Sequence, residues 1–135
     1  MLMAWAEIAG AIPAGAVLMW AGAIAWQIGY DTVYAYVDVK DDTRLGLKST
    51  AILFGERGKR IIGLFYASTI AAWSVGGWLS GMSLPYAFGM LIIAAHLAWQ
   101  VRRIDLARPD VNYRLFLANI LTGLLLAASS LVGTW

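Results

Sequence analysis

Cysteine is absent from this sequence, proline occurs only three times, and charged side chains make up just 13% of its 135 residues. Without cysteine there is neither a disulfide framework nor thiolate chemistry. A soluble domain carries about 25% charged residues, so the shortage of charge points to lipid surroundings. The distribution is sharper than the total. No formally charged side chain falls within Ile8–Tyr30, Ile61–Val101 or Leu115–Trp135. Basic residues are missing from the N-terminal segment and from the region around Gly81. The opening "MLMAWAEIAG" therefore lacks the basic region of a signal peptide.

What is present, in place of charge, is 61% hydrophobic residues. A helix needs about 20 apolar residues to cross a bilayer at about 1.5 Å rise each. The first and last uncharged runs fit one crossing apiece. The middle run is twice that length, and "GGWLSGMSLP" (Gly76 to Pro85) supplies a break near its centre. The expected fold is an all-α, multi-pass transmembrane bundle. It has about four spans, near Ile8–Tyr30, Ile61–Leu79, Pro85–Val101 and Leu115–Trp135. All ten Lys and Arg residues sit in two loops, Lys40–Arg60 and Arg102–Arg114. The positive-inside rule makes both loops cytoplasmic and puts both termini on the other side. The sequence pI of about 9.1 is then a topology signal and gives no reason to expect nucleic acid.

One stretch breaks the apolar pattern. Asp31, Asp38, Asp41 and Asp42 follow directly on the first uncharged run. On a continuous helix Asp31 and Asp38 lie two turns apart, and Asp42 one turn further, so the three share a face with Tyr34 between them. Converging carboxylates need a positive partner. Carboxylate oxygens suit Mg²⁺, which keeps waters and bridges one or two acids to substrate phosphates. Arg44 and Lys48 are cations suited to phosphate oxygens, and Gly46 allows a backbone turn between them. Acids followed by bases at the water boundary make a candidate site for a metal-bound diphosphate with its tail in lipid. Ordinary solvated loop is the default for Lys40, Asp41, Arg57, Lys59 and Arg60. On spacing alone, the loop reading and the metal–phosphate reading both stay open for the acid stripe.

The string "YDTVYAYVDVKDDTRLGLKSTAILFG" (Tyr30 to Gly55) resembles the second aspartate-rich motif of the UbiA superfamily of intramembrane prenyltransferases. It is most similar to the branch acting on 4-hydroxybenzoate in ubiquinone biosynthesis. The shared pattern is "YDT.YA..D..DD" followed by "G.KSTA.LFG". The resemblance implies a nine-helix bundle in which two acid motifs face each other and hold Mg²⁺ on a polyprenyl diphosphate. It implies Asp31, Asp38 and Asp42 as metal-binding and catalytic acids, with Arg44, Lys48 and Tyr34 at the diphosphate. Its substrates would be a polyprenyl diphosphate and an aromatic acceptor, in the cell inner membrane with the aspartate loop cytoplasmic. The family's first acid motif has no counterpart here, since Glu7 is the only acid before Asp31. The expectation is the C-terminal portion of such an enzyme, inactive alone and partnered by an N-terminal half.

Alternatives are another aromatic or quinone-precursor prenyltransferase, or a non-catalytic cation-binding membrane module. A CDP-alcohol phosphotransferase is disfavoured because "TVYAY", not "DG..AR", surrounds the first aspartate. His96 and Asn119 are expected to be helix-packing residues. Trp5, Trp26, Trp78, Trp99 and Trp135 are expected in interfacial belts. Trp20 and Trp73 are expected in packing or a cavity wall, and the arginines of the second loop against lipid headgroups.

Overall fold

The computed structural model describes residues 10–134. Among them the chain is helical, with no strand. Helix α1 spans Ala14–Leu45, α2 is the short Thr50–Phe54, α3 spans Gly58–Leu79, α4 Leu84–Arg103 and α5 Pro109–Gly133. A single 3₁₀ turn, Gly55–Arg57, joins α2 to α3. The helix of the first uncharged run continues past Tyr30 without a break, as the aspartate reading needs. At 32 residues α1 is about 48 Å long, well beyond the roughly 30 Å of hydrocarbon.

Helix ends follow local chemistry more closely than charge boundaries. α5 begins at Pro109, six positions before the expected Leu115, because proline is preorganised for the first helical turn. α4 runs on to Arg102 and Arg103, cations that suit a helix C-terminus. The middle run breaks at Ser80–Ser83, where Gly81 takes a left-handed conformation with φ +73°. Among the described residues three helical stretches are long and apolar enough to cross a membrane: Thr50–Leu79, Leu84–Arg103 and Pro109–Gly133. The expected first crossing is not among them. Ile8 and Ala9 lie outside the described residues, and in the described part of α1 Gly15, Gly22, Gln27, Gly29 and Asp31 dilute the aliphatic side chains. The protein is thus a membrane helix bundle with three such stretches and a longer, less apolar α1.

The four long helices form a ring in which α1 packs on α3 and α5, and α4 packs on α3 and α5. The α1–α3 seam has a seven-residue period. Gly15, Gly22 and Gly29 on α1 meet, in turn, Ser80 at the C-terminal cap of antiparallel α3 and Trp73 and Tyr66 within it. A β-carbon at Gly22 would stand 2.5 Å from the Trp73 ring, and one at Gly29 would stand 2.5 Å from the Tyr66 ring. The next step reverses the pattern: Tyr36 of α1 lies over Gly58 of α3 and donates from its hydroxyl to the Gly55 carbonyl at 2.5 Å. Each aromatic knob fills a hole left by a glycine one heptad apart, which is the packing a 3.5-residue repeat favours. This seam holds the acid-bearing helix in place.

At the far end Tyr86 of α4 sits against Gly77 and Gly133 and donates to the Trp73 carbonyl at 2.9 Å. Gly77 is therefore an aromatic socket, and Gly81 the turn that follows it.

Candidate functional site

The C-terminal third of α1 carries the acid stripe. Asp31 is exposed, whereas Asp38 and Asp42 are half-buried. Tyr34 stands between them, and its ring centroid lies 4.9 Å from that of Phe116 on α5. The negative charge of Asp38, followed by partial desolvation and a side-chain hydrogen bond to the same carboxylate, raises the Tyr34 phenol above its ordinary range. The phenol and the Asp38 carboxylate are therefore close neighbours on this face of α1.

The basic residues are placed differently. Arg44 pairs with Asp41 at 3.6 Å, both side chains well exposed, so the pair is worth little and its guanidinium is readily recruited elsewhere. Gly46 closes α1 with φ +68°. Its N–H donates to the Thr43 carbonyl at 3.3 Å, and that of Leu47 to the Asp42 carbonyl at 2.9 Å. This reversal is what the sequence asked of Gly46. It carries the chain into an exposed linker holding Lys48, which lines a small surface hollow with Ser49, Thr50, Ile52 and Leu53. No ion pair joins Lys48 to the aspartates among the described residues.

Among the described residues no three His, Cys, Asp or Glu side chains come together closely enough to hold a metal ion. Helix geometry gives the reason. Asp31 and Asp38 are separated by about 10 Å of rise, too far for two carboxylates on one Mg²⁺ with bonds of about 2.0–2.1 Å. Asp38 and Asp42 are neighbours one turn apart, about 6 Å. That pair suits an ion held by one or two carboxylates, with waters and phosphate oxygens completing the shell. Asp31 stands apart, suited to a second ion or to water bound at the same diphosphate.

Below the acids an aromatic wall descends into the bundle. Tyr30 lies 5.8 Å from Phe116 and 5.1 Å, edge-on, from Trp26, which in turn meets Trp73 at 5.6 Å. Trp26, Tyr30, Phe116, Leu117, Asn119 and Ile120 line a cavity of about 260 Å³. Sequence reasoning missed Phe116, which has no motif around it, and put Trp26 in an interfacial belt. Trp26 instead turns inward and donates from its indole N–H to Asn119 Oδ1 at 2.8 Å. Trp78 and Trp99 are exposed near helix ends, as a belt requires. Trp20 is exposed too, while Trp73 is fully buried. Trp5 and Trp135 lie outside the described residues.

The Trp26 bond begins a chain with a fixed direction. Asn119 Nδ2 donates to Gln100 Oε1 at 3.0 Å, which also accepts from the Tyr66 hydroxyl at 3.3 Å, and Gln100 Nε2 stands 3.0 Å from His96 Nε2. An indole N–H can only donate, so Asn119 presents oxygen to Trp26 and nitrogen to Gln100. Gln100 then presents its amide nitrogen to His96, whose Nε2 also stands 3.2 Å from the Ala118 carbonyl of α5. His96 thereby ties α4 to α5, the packing role expected of it. Asn119 has the same role, at a junction of α1, α3, α4 and α5. Asn119→Leu strands the Trp26 donor and leaves Gln100 Oε1 to the Tyr66 hydroxyl alone, so a loss of about 1–2 kcal/mol is expected. Denaturant unfolding in micelles measures it, and Asn119→Asp, which keeps the acceptor for Trp26, should recover part.

The UbiA prenyltransferase family model matches residues 1–132. The 4-hydroxybenzoate octaprenyltransferase of Cronobacter sakazakii is 40% identical over 91% of this chain and 42% of its own length. The enzyme of the same name from Klebsiella pneumoniae is 36% identical over 92% of this chain and 43% of its own length. The mitochondrial 4-hydroxybenzoate polyprenyltransferase of Rattus norvegicus is 36% identical over 98% of this chain and 36% of its own length. The chain thus spans less than half the length of these relatives. No solved structure matches it. A family model covering almost every residue, and relatives aligned through the acid-bearing helix and the three that surround it, give one conclusion: the chain belongs to the UbiA prenyltransferase family.

Proposed function

We propose that this chain supplies the second acid motif of a Mg²⁺-dependent enzyme that transfers a polyprenyl group from its diphosphate to 4-hydroxybenzoate in ubiquinone biosynthesis. The observation that carries the reading is the continuity of α1. It stacks Asp38 and Asp42 at the charged-loop end of the bundle, directly above an aromatic-walled cavity. The relatives' names give the substrate class. The basic loops orient this end toward the cytoplasm of a cell inner membrane.

Asp38 and Asp42 would hold the ion, with Asp31 serving the far side of the diphosphate. Bound Mg²⁺ would neutralise charge on the departing diphosphate. Arg44 is freed easily from its exposed partner, and Lys48 hangs from a flexible-stemmed linker position. Both add cationic contacts to the same oxygens. In the transfer, the allylic C–O bond breaks and its electron pair leaves with the diphosphate. The ring carbon ortho to the phenol hydroxyl then forms the new C–C bond and sheds its proton to solvent. The π faces of Trp26, Tyr30 and Phe116 flank the path of that allylic cation, where aromatic rings are favourable neighbours and water is scarce. The aspartates orient the metal and do not act as bases.

A facing set of acids is not contained in the described residues, so an N-terminal half carrying the first motif is the partner this proposal requires. The test is reconstitution with Mg²⁺, a polyprenyl diphosphate and 4-hydroxybenzoate. The chain is assayed alone and joined to helices bearing that motif. No turnover is expected alone, with activity in the joined form that EDTA abolishes. Activity indifferent to EDTA would refute the metal role, and an inactive, correctly folded joined form would refute the assignment.

A further inference from the structure

At the edge of the ring next to the glycine seam, α3 and α4 leave two adjoining hollows of about 430 and 570 Å³. Ile70 and Ala94 line both, so the two make one continuous groove. Its middle is walled by small residues, Gly63, Ala67 and Ala71 from α3 with Ala94 and Ala98 from α4. Trp78 and Met82 bound one end. Arg102, exposed, bounds the other and is the one charged residue lining either hollow. A second cation is fixed in the same corner: Lys59 Nζ donates at 3.0 Å to both the Arg102 and the Ile104 carbonyls. From Gly63 to Trp78 the groove runs about 22 Å along the helix, most of the bilayer's apolar thickness.

We propose that this groove binds one acyl chain of an anionic phospholipid, with the lipid phosphate on Arg102 and Lys59. Charge complementarity selects the occupant. A mostly apolar furrow ending in two cations matches a linear tail carrying a negative head, and no acid lines it to repel one. Leu64 and Ile92 beside the groove, and Leu91 in its wall, are exposed apolar side chains of the kind a lipid-facing surface presents. The prenyl donor is a poorer match. The acid stripe lies on α1 above a hollow lined by α1 and α5, whereas the groove is lined by α3 and α4, so the groove and the aspartates open on different sides of the ring. The inference is independent of the proposed transfer reaction.

The test is native mass spectrometry of the delipidated full chain in detergent, titrated with phosphatidylglycerol or phosphatidylcholine of identical acyl chains. Phosphatidylglycerol should bind about five- to thirtyfold more tightly, the preference that one or two cations confer at a membrane surface. Arg102→Gln should cut that preference at least about fivefold while Arg102→Lys keeps most of it, and Arg102→Gln with Lys59→Gln should abolish it. Ala67→Leu with Ala98→Leu should fill the furrow and reduce retention of both lipids. Circular dichroism verifies folding of each variant, and the lysine form separates charge from packing. Equal binding of the two lipids by the native chain overturns the proposal. So does undiminished retention by the filled variant, or displacement of the lipid by an equimolar polyprenyl diphosphate.

Discussion

Replacing the Asp38 equivalent by asparagine in a complete enzyme of this family is expected to lower kcat/KM by about 10²–10³-fold and to weaken Mg²⁺-dependent binding of the diphosphate donor. The asparagine keeps the shape and one acceptor oxygen but removes the charge that a hard cation requires. Asp38 is the acid to choose because the structure gives it the most to do. It is half-buried, has the Tyr34 phenol beside it, and is one turn from Asp42. Asp41→Asn is the matched control. Asp41 faces solvent and Arg44, around the helix from the stripe, so activity should change little. Tyr34→Phe should cost less than Asp38→Asn, since it removes a hydrogen bond to the carboxylate and leaves the charge. Steady-state kinetics over a range of Mg²⁺ concentrations separates the three. If Asp38→Asn retains near-native Mg²⁺-dependent turnover, the acid stripe is not the diphosphate site.

The membrane class and the continuity of α1 were legible in the sequence, because lipid imposes long uncharged runs and a helix is the one open-ended element that satisfies its own backbone there. Gly46 and the Gly81 turn were legible as well, since a left-handed residue after a helix is overwhelmingly glycine. The acid stripe could be placed on one face by counting. Counting could not show that Arg44 would lie against Asp41, or that three acids seven and four residues apart do not converge on one ion by themselves. The inward turn of Trp26 was hidden for another reason. A tryptophan near the end of an apolar run fits an interfacial belt equally well, and only Asn119, distant in sequence, decides between them. The Gly15, Gly22, Gly29 repeat was visible but silent, since its meaning depends on which residues of α3 stand opposite.

That repeat yields the second large effect. Gly22→Leu is expected to destabilise the bundle by about 3 kcal/mol or more, the upper range for overpacking, measured as lost resistance to denaturant in micelles. The new side chain would have to enter space held by the Trp73 ring, which is fully buried and anchored by its indole N–H on the Met19 carbonyl at 3.1 Å. Trp73 cannot rotate away without giving up that bond and its contact with Trp26. Gly63→Ala is the contrasting case. Its β-carbon would meet only Val101 at 3.5 Å, an ordinary contact, and alanine is the better helix former, so stability should hold or rise slightly. Trp73→Ala alone should cost about 3–5 kcal/mol through the cavity it leaves. If the seam is a knob in a hole, the double variant Gly22→Leu with Trp73→Ala must cost clearly less than the sum, because the leucine enters the space the indole vacated. Strict additivity would mean that the two residues do not meet. The helix bearing the aspartates would then be held by something other than the glycine–aromatic seam.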